Sequence, residues 1–198
     1  SLVALVTYLK NTTDEKSNTK AIIENVNGTI NTNGLNIITD SDLMNVYSAT
    51  NIVSVTGASL ASIGGSGATM DAELTAGIDS LNGLTLNNLG QTQILTGVKH
   101  SDNTTATDIN AKSQILSVNS SVLGLYTGTE AKVTNKSKIN AKLKVHEHNA
   151  DSLIIKAMQY EQNYADVDSR VATLAGYSNA NISSTANGDL RVDIAGNN

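Results

Sequence analysis

Residues 138–175 read KINAKLKVHEHNADSLIIKAMQYEQNYADVDSRVATLA, and two periodicities compete within them. From Lys138 to His148 the side chains alternate. Ile139, Ala141, Leu143 and Val145 fall on one parity; Lys138, Asn140, Lys142, Lys144, His146 and His148 fall on the other. Period two predicts a half-buried strand, because successive side chains of a strand point to opposite faces. From Leu153 onward the apolar residues fall at Leu153, Ala157, Tyr160, Tyr164, Val167, Val171 and Leu174, in alternating steps of four and three. That spacing is a heptad seam and predicts a coiled-coil-like helix over about 151–175, with Asn149 or Ser152 at its start and Gly176 at its stop. The seam also runs backward through Ile139, Leu143, His146 and Ala150, so one continuous helix over 137–175 competes with the strand. The unbroken alternation and the helix-starting Asn149 favour the strand.

Both signals recur elsewhere. Ala111, Ile115, Val118, Val122 and Leu125 repeat the heptad steps before Gly128, and Leu74, Ile78 and Leu81 repeat them before Gly83. Leu2, Leu5 and Leu9 open a weaker register that resumes at Ile23, Val26 and Ile30. Leu35–Thr39, Asn51–Gly57, Leu84–Leu86 and the alternating Leu190, Val192 and Ile194 are further strand candidates. Asp40 or Ser41 reads as the cap of a short helix over 42–48, and Ile63–Thr69 (IGGSGAT) reads as a flexible loop.

The resulting fold class is α+β: an elongated chain of heptad helices alternating with short β-strands, stabilised by homo-oligomerisation. Its regions are an N-terminal helical segment (1–33), a mixed strand and helix region (34–103), a heptad helix (104–128), a lysine-rich strand region (129–150), a coiled-coil-like helix (151–176) and a C-terminal loop and strand (177–198). The expected oligomer seam is Leu153, Ala157, Tyr160, Tyr164, Val167, Val171 and Leu174, joined by Ile115, Val118, Val122 and Leu125.

Composition points the same way. The 198 residues contain no Pro, Cys, Trp or Phe, while 24 Asn, 20 Ser and 22 Thr make up one third of the chain. Without large aromatics the core must come from Leu, Ile, Val and Ala, which suits a thin, repetitive core that gains burial by association. The missing cysteines exclude disulfides, zinc–thiolate sites and thiol nucleophiles. A net charge of −5 argues against a general nucleic-acid binder, and no stretch is apolar enough for a membrane helix.

Catalytic motifs are weak. GGSG at 64–67 lacks the Gly-Lys-Ser/Thr of a phosphate loop, no serine occupies a nucleophile elbow, and no carboxylate pair stands out. The expectation is a non-enzymatic protein without cofactors. Lys132, Lys136, Lys138, Lys142 and Lys144 concentrate positive charge, read as solvated lysines that guard a strand edge or face. His146 and His148 share a strand face by parity. Around a threefold axis they would offer six nitrogens to a first-row metal. Lys142 and Lys144 on the same face oppose a cation, so solvated histidines are expected.

The Asn/Ser/Thr/Gly-rich chain without Cys, the heptads such as Leu153–Leu174 and the short alternating strands NIVSVTG and DLRVDIAG together resemble bacteriophage tail-fibre and related virion-fibre proteins. The resemblance implies a thin parallel homotrimer of a virion, partnered by itself and by other structural proteins of the same assembly, and it lends His146 and His148 an H-x-H metal role. The same style occurs in extracellular cell-surface filaments, pilin- or flagellin-like, and in surface adhesins.

Overall fold

The computed structural model describes residues 6–39, 44–55, 61–97, 107–118, 123–173 and 175–197. Among them every regular element is a strand, and every pairing is parallel. The α+β class with coiled-coil helices is therefore corrected: the chain is a parallel β-solenoid. Its first coil carries β1 (Val6–Glu24), β2 (Gly28–Thr32), β3 (Leu35–Thr39) and β4 (Met44–Val55). The second carries β5 (Ala61–Asn88), β6 (Gln91–Gly97) and β7 (Thr107–Val118). The third carries β8 (Leu123–Asn135), β9 (Lys138–Asn149), β10 (Ser152–Met158) and β11 (Glu161–Ala172), and β12 (Ala175–Ala186) with β13 (Asp189–Asn197) begins a fourth.

Each coil lays its strands beside those of the previous one. Val6 pairs with Ala61, Ala61 with Tyr126 and Tyr126 with Tyr177, so successive coils at this point are 55, 65 and 51 residues long. Three sheets result. The long sheet holds β1 and β2, then β5, then β8 and β9, then β12 and β13; the two short sheets are β3-β6-β10 and β4-β7-β11. The long sheet packs its first half on β4-β7-β11 and its second half on β3-β6-β10, around two aliphatic clusters.

The core is made of ladders, in which equivalent positions of successive coils stack. Ile23, Ile78, Leu143 and Ile194 form one, and Ala21, Ala76, Ala141 and Val192 another. Across from them Leu35, Thr92 and Leu153, then Ile37, Ile94 and Ile155, repeat the pattern. This arrangement explains how a chain without Phe or Trp forms a core. A narrow two-layer interior needs only medium aliphatic side chains, repeated once per coil.

Asparagine has a comparable role outside. Asn31, Asn87 and Asn149 occupy one ladder, with Asn87 Nδ2 donating to Asn31 Oδ1 at 3.1 Å and Asn149 Nδ2 to Asn87 Oδ1 at 3.0 Å. Stacked amides satisfy one another in this geometry, as in cross-β assemblies.

The heptads fail for a physical reason. Steps of four and three alternate parity, so a heptad laid on strands scatters its residues over both faces. Leu153, Ala157, Val167 and Val171 lie on inward positions, while Tyr164 points outward and Tyr160 stands between β10 and β11. Ile115 and Leu125 are buried in the solenoid's own interior. Val118 ends β7, and Val122 and Leu174 lie outside the described residues. No helical oligomer seam exists among the described residues, and the helical segments expected over 1–33, 104–128 and 151–176 are strands where described. Asp40–Asp42 and Leu2–Leu5 lie outside the described residues, but 44–48, assigned to a short helix, belongs to β4.

IGGSGAT is not a loop either. It is the start of β5, the central strand of the long sheet. Gly64 faces inward, where a Cβ would come 3.2 Å from the Cδ1 atoms of both Ile52 and Ile115; the glycine leaves that space to the isoleucines. The strands expected at 35–39, 138–148 and around 190–194 correspond to β3, β9 and β13.

Candidate functional site

Among the described residues the outermost strands carry core ladders without a neighbour on one side. Among the described residues β12 and β13 pair only with β8 and β9, and β1 pairs only with β5. Each outer strand therefore presents one unpaired row of backbone N–H and C=O groups, which is a template for another strand. The side chains that continue the core ladders are uncovered there. Leu190, Val192 and Ile194 are 48%, 44% and 49% exposed, whereas their neighbours Ile139, Ala141 and Leu143 are at most 1% exposed. At the opposite end Leu9 is exposed as well.

Thr19, Ala21 and Ile23 of β1 stand on the same ladders as Leu190, Val192 and Ile194 of β13, three coils away. Edge strands of isolated domains usually carry bulges or inward charges that block pairing. β1 pairs with β5 without a register shift from Val6 to Glu24, but it carries Glu15 on the inward ladder of buried Met70, and β12 and β13 each carry a register shift against their neighbours.

The predicted histidine pair is separated by the structure. His146 is outward and exposed, whereas His148 is buried. A register shift against β5 causes this: Val145 pairs with Ser80, but the next paired residue, Glu147, matches Thr85. The shift inverts the parity, so the two imidazoles cannot chelate one ion together. The H-x-H metal reading of His146 and His148 is corrected on that ground.

His148 belongs to a buried polar corner instead. The backbone N–H groups of Gly34 and Gly90 donate to Asn88 Oδ1 at 2.7 and 2.9 Å. Asn88 Nδ2 donates to Thr92 Oγ1 at 2.9 Å, leaving the threonine proton for His148 Nε2, also at 2.9 Å. Burial holds the His148 pKa below the ordinary histidine value, in keeping with a neutral ring that accepts at Nε2. The corner joins all three coils where the chain turns from the long sheet to a short one.

The lysines are not on an edge. Lys138, Lys142 and Lys144 project from β9, a central strand. Acidic neighbours flank them: Glu73 and Asp189 stand beside Lys138, Asp193 beside Lys142, and Asp79 beside Lys144. Lys142 Nζ lies 3.4 Å from Asp79 Oδ2. This mixed-sign outer face relieves repulsion between stacked lysines and leaves no concentrated positive patch along β9.

No family model matches the chain, and neither a curated protein nor a solved structure matches it.

Proposed function

We propose that this chain is a structural, fibre-type protein: a rigid β-solenoid rod of an extracellular or virion appendage that extends by end-to-end stacking of coils. The observation that carries the reading is the parallel stacking of coils on shared ladders: half-buried Thr19, Ala21 and Ile23 of β1 and half-exposed Leu190, Val192 and Ile194 of β13 lie on the same ladders, and stacking one unit on the next would continue them. Such an interface joins two different surfaces. It is therefore heterologous and propagates as a linear assembly, where a self-complementary contact would close as a dimer. The heptad-helix support for a homotrimer goes with the helices, and the fibre reading now rests on the solenoid. Virion and cell-surface appendages both fit this role.

Sedimentation velocity over a range of protein concentrations, with negative-stain microscopy of the same samples, tests it. The expected result is a concentration-dependent series of rods whose width stays constant as length grows. Val192→Lys with Ile194→Lys, which places charges on the exposed end ladder, should return the population to single units. A chain that remains a single unit at high concentration, or that forms compact closed oligomers, contradicts the reading.

A further inference from the structure

The outer face of the long sheet, above the first half of β5, carries a cleft of about 270 Å³ with tyrosine walls and a floor of Ile63 and glycines. Its chemistry follows from the ladders. Tyr126 and Tyr177 stack face to face on adjacent strands, with ring centroids 5.7 Å apart and planes 11° from parallel. The Tyr126 ring reaches over Gly128, where a Cβ would come 2.7 Å from the tyrosine hydroxyl oxygen. Two strands away Tyr8 stands on β1, 65% exposed, and it too borders the cleft. Ile63 of β5 stands on the ladder between Tyr8 and Gly128, so an aliphatic side chain forms the base of the cleft between the two tyrosines and a ring would lie over it.

Gly65 keeps the floor low. Lys10 of β1 and Glu130 of β8 flank it and meet above it, with Lys10 Nζ 3.6 Å from Glu130 Oε1. A Cβ at Gly65 would lie 3.2 Å from Glu130 Cγ and 3.7 Å from Lys10 Cγ. Asn179 and Asn181 of β12 complete the rim. The cleft therefore offers aromatic faces, two neutral amides, and one cation whose charge is already matched by a carboxylate.

We propose that this cleft binds an uncharged sugar ring of a glycan. The apolar C–H face of a pyranose carries slightly positive hydrogens and packs on the negative face of an aromatic ring. Its hydroxyls need a mixture of donors and acceptors, which Lys10, Glu130, Asn179 and Asn181 provide. A phosphate or sulfate is disfavoured, because Lys10 is paired and Glu130 would face the anion. This proposal goes beyond the structural role and does not depend on end-to-end stacking, since a single unit contains the whole cleft.

The protein has no Trp, so tyrosine emission reports directly on its six tyrosines. The full chain is screened on an array of neutral, sialylated and sulfated oligosaccharides. It is then titrated with the best neutral ligand and with the methyl glycosides of glucose, galactose and N-acetylglucosamine, up to roughly 50 mM, well above the millimolar range. The expected result is binding of a neutral oligosaccharide with a saturable change in tyrosine emission, weakened at least tenfold by Tyr8→Ala and by Asn181→Ala. Tyr8 is an exposed residue of an outer strand, so its variant keeps the fold, as circular dichroism would verify; Gly65→Val, which raises the floor, should also abolish binding. Response to an oligosaccharide but not to methyl glycosides supports an extended glycan, and response to both supports recognition of a single sugar unit. Absence of any neutral ligand, binding only to sialylated or sulfated glycans, or binding that survives Tyr8→Ala and Asn181→Ala would overturn the proposal.

Discussion

Leu143 lies in the middle of the Ile23, Ile78, Leu143 and Ile194 ladder and is fully buried. Replacing it by Ala removes aliphatic contacts to the coils on both sides and leaves a cavity that the flanking isoleucines fill only in part. Such truncations cost about 2–5 kcal/mol. The middle of that range is reasonable here, because Ile78 below is closed in while Ile194 above is half exposed. For a chain of this size each kcal/mol lowers the melting temperature by about 2–4 °C, so about 3 kcal/mol corresponds to roughly 6–12 °C. The assay is thermal unfolding followed by the far-ultraviolet strand signal, with two companions. Val145→Ala, also fully buried, should cost about 2 kcal/mol. Lys144→Ala, between them on the outer face, should change stability by less than about 0.5 kcal/mol. A continuous helix over 137–175 would place Leu143 in its seam and Val145 outside it. Equal effects at 144 and 145, or a loss at 143 alone, would refute the inward–outward alternation.

Three more outcomes follow from particular contacts. Gly77 has φ +139°, and a Cβ there would run into the carbonyl of Lys142, so Gly77→Ala should cost about 1–3 kcal/mol in denaturant titration, whereas Gly67→Ala, with ordinary backbone, should cost less. His148 has a folded pKa below its unfolded value near 6.5, so the unfolded state binds the extra proton. Its contribution is full above that unfolded value and is lost as pH falls toward the folded pKa; a stability–pH profile should decline on the acid side, and His148→Gln should flatten the decline. Asn87→Ala breaks both amide contacts of the Asn31, Asn87 and Asn149 ladder and should cost about 1 kcal/mol, because these groups are exposed and water replaces the lost partners.

The alternating stretches were legible as strands because one face of each touches the core. Lys138–Val145 and Leu190–Ile194 show period two in plain view, and β3 was readable from LNIIT. The heptads misled because a solenoid with strands of five to 28 residues, broken by corners, scatters aliphatics at many spacings. Leu153 and Ala157 are inward on β10 and Val167 and Val171 on β11, and the intervening Tyr160 and Tyr164, which complete the apparent seam, fall at the corner and on the outer face. Composition held a countersignal: Val, Ile and Thr account for 52 of 198 residues and Asn for another 24, all weak helix formers. The coils themselves were not visible as repeats, because ladder partners stand 51, 55 or 65 residues apart and share only size and polarity. The glycine floor was misread because GGSG suits a linker by composition, and only its place between β1 and β8 gives it another meaning. The two histidines needed the register shift after Val145, which nothing in HEH announces.

The central claim is that each coil stacks on the last in parallel register, and a cysteine pair tests it most directly because the chain has none of its own. Lys112 on β7 and Asp166 on β11 are Cα partners whose side chains are partly exposed and form an ion pair. Neighbouring strands are about 4.8 Å apart, inside the roughly 4.4–6.8 Å Cα range of disulfides. Lys112→Cys with Asp166→Cys should form an intramolecular disulfide under mild oxidation, measured by mass spectrometry of the unreduced peptides. Lys112→Cys with Asp168→Cys, displaced by two residues to about 8 Å, should not. A disulfide in the first pair alone is the result predicted by the solenoid; no disulfide in that pair, or equal yields in both, would contradict it.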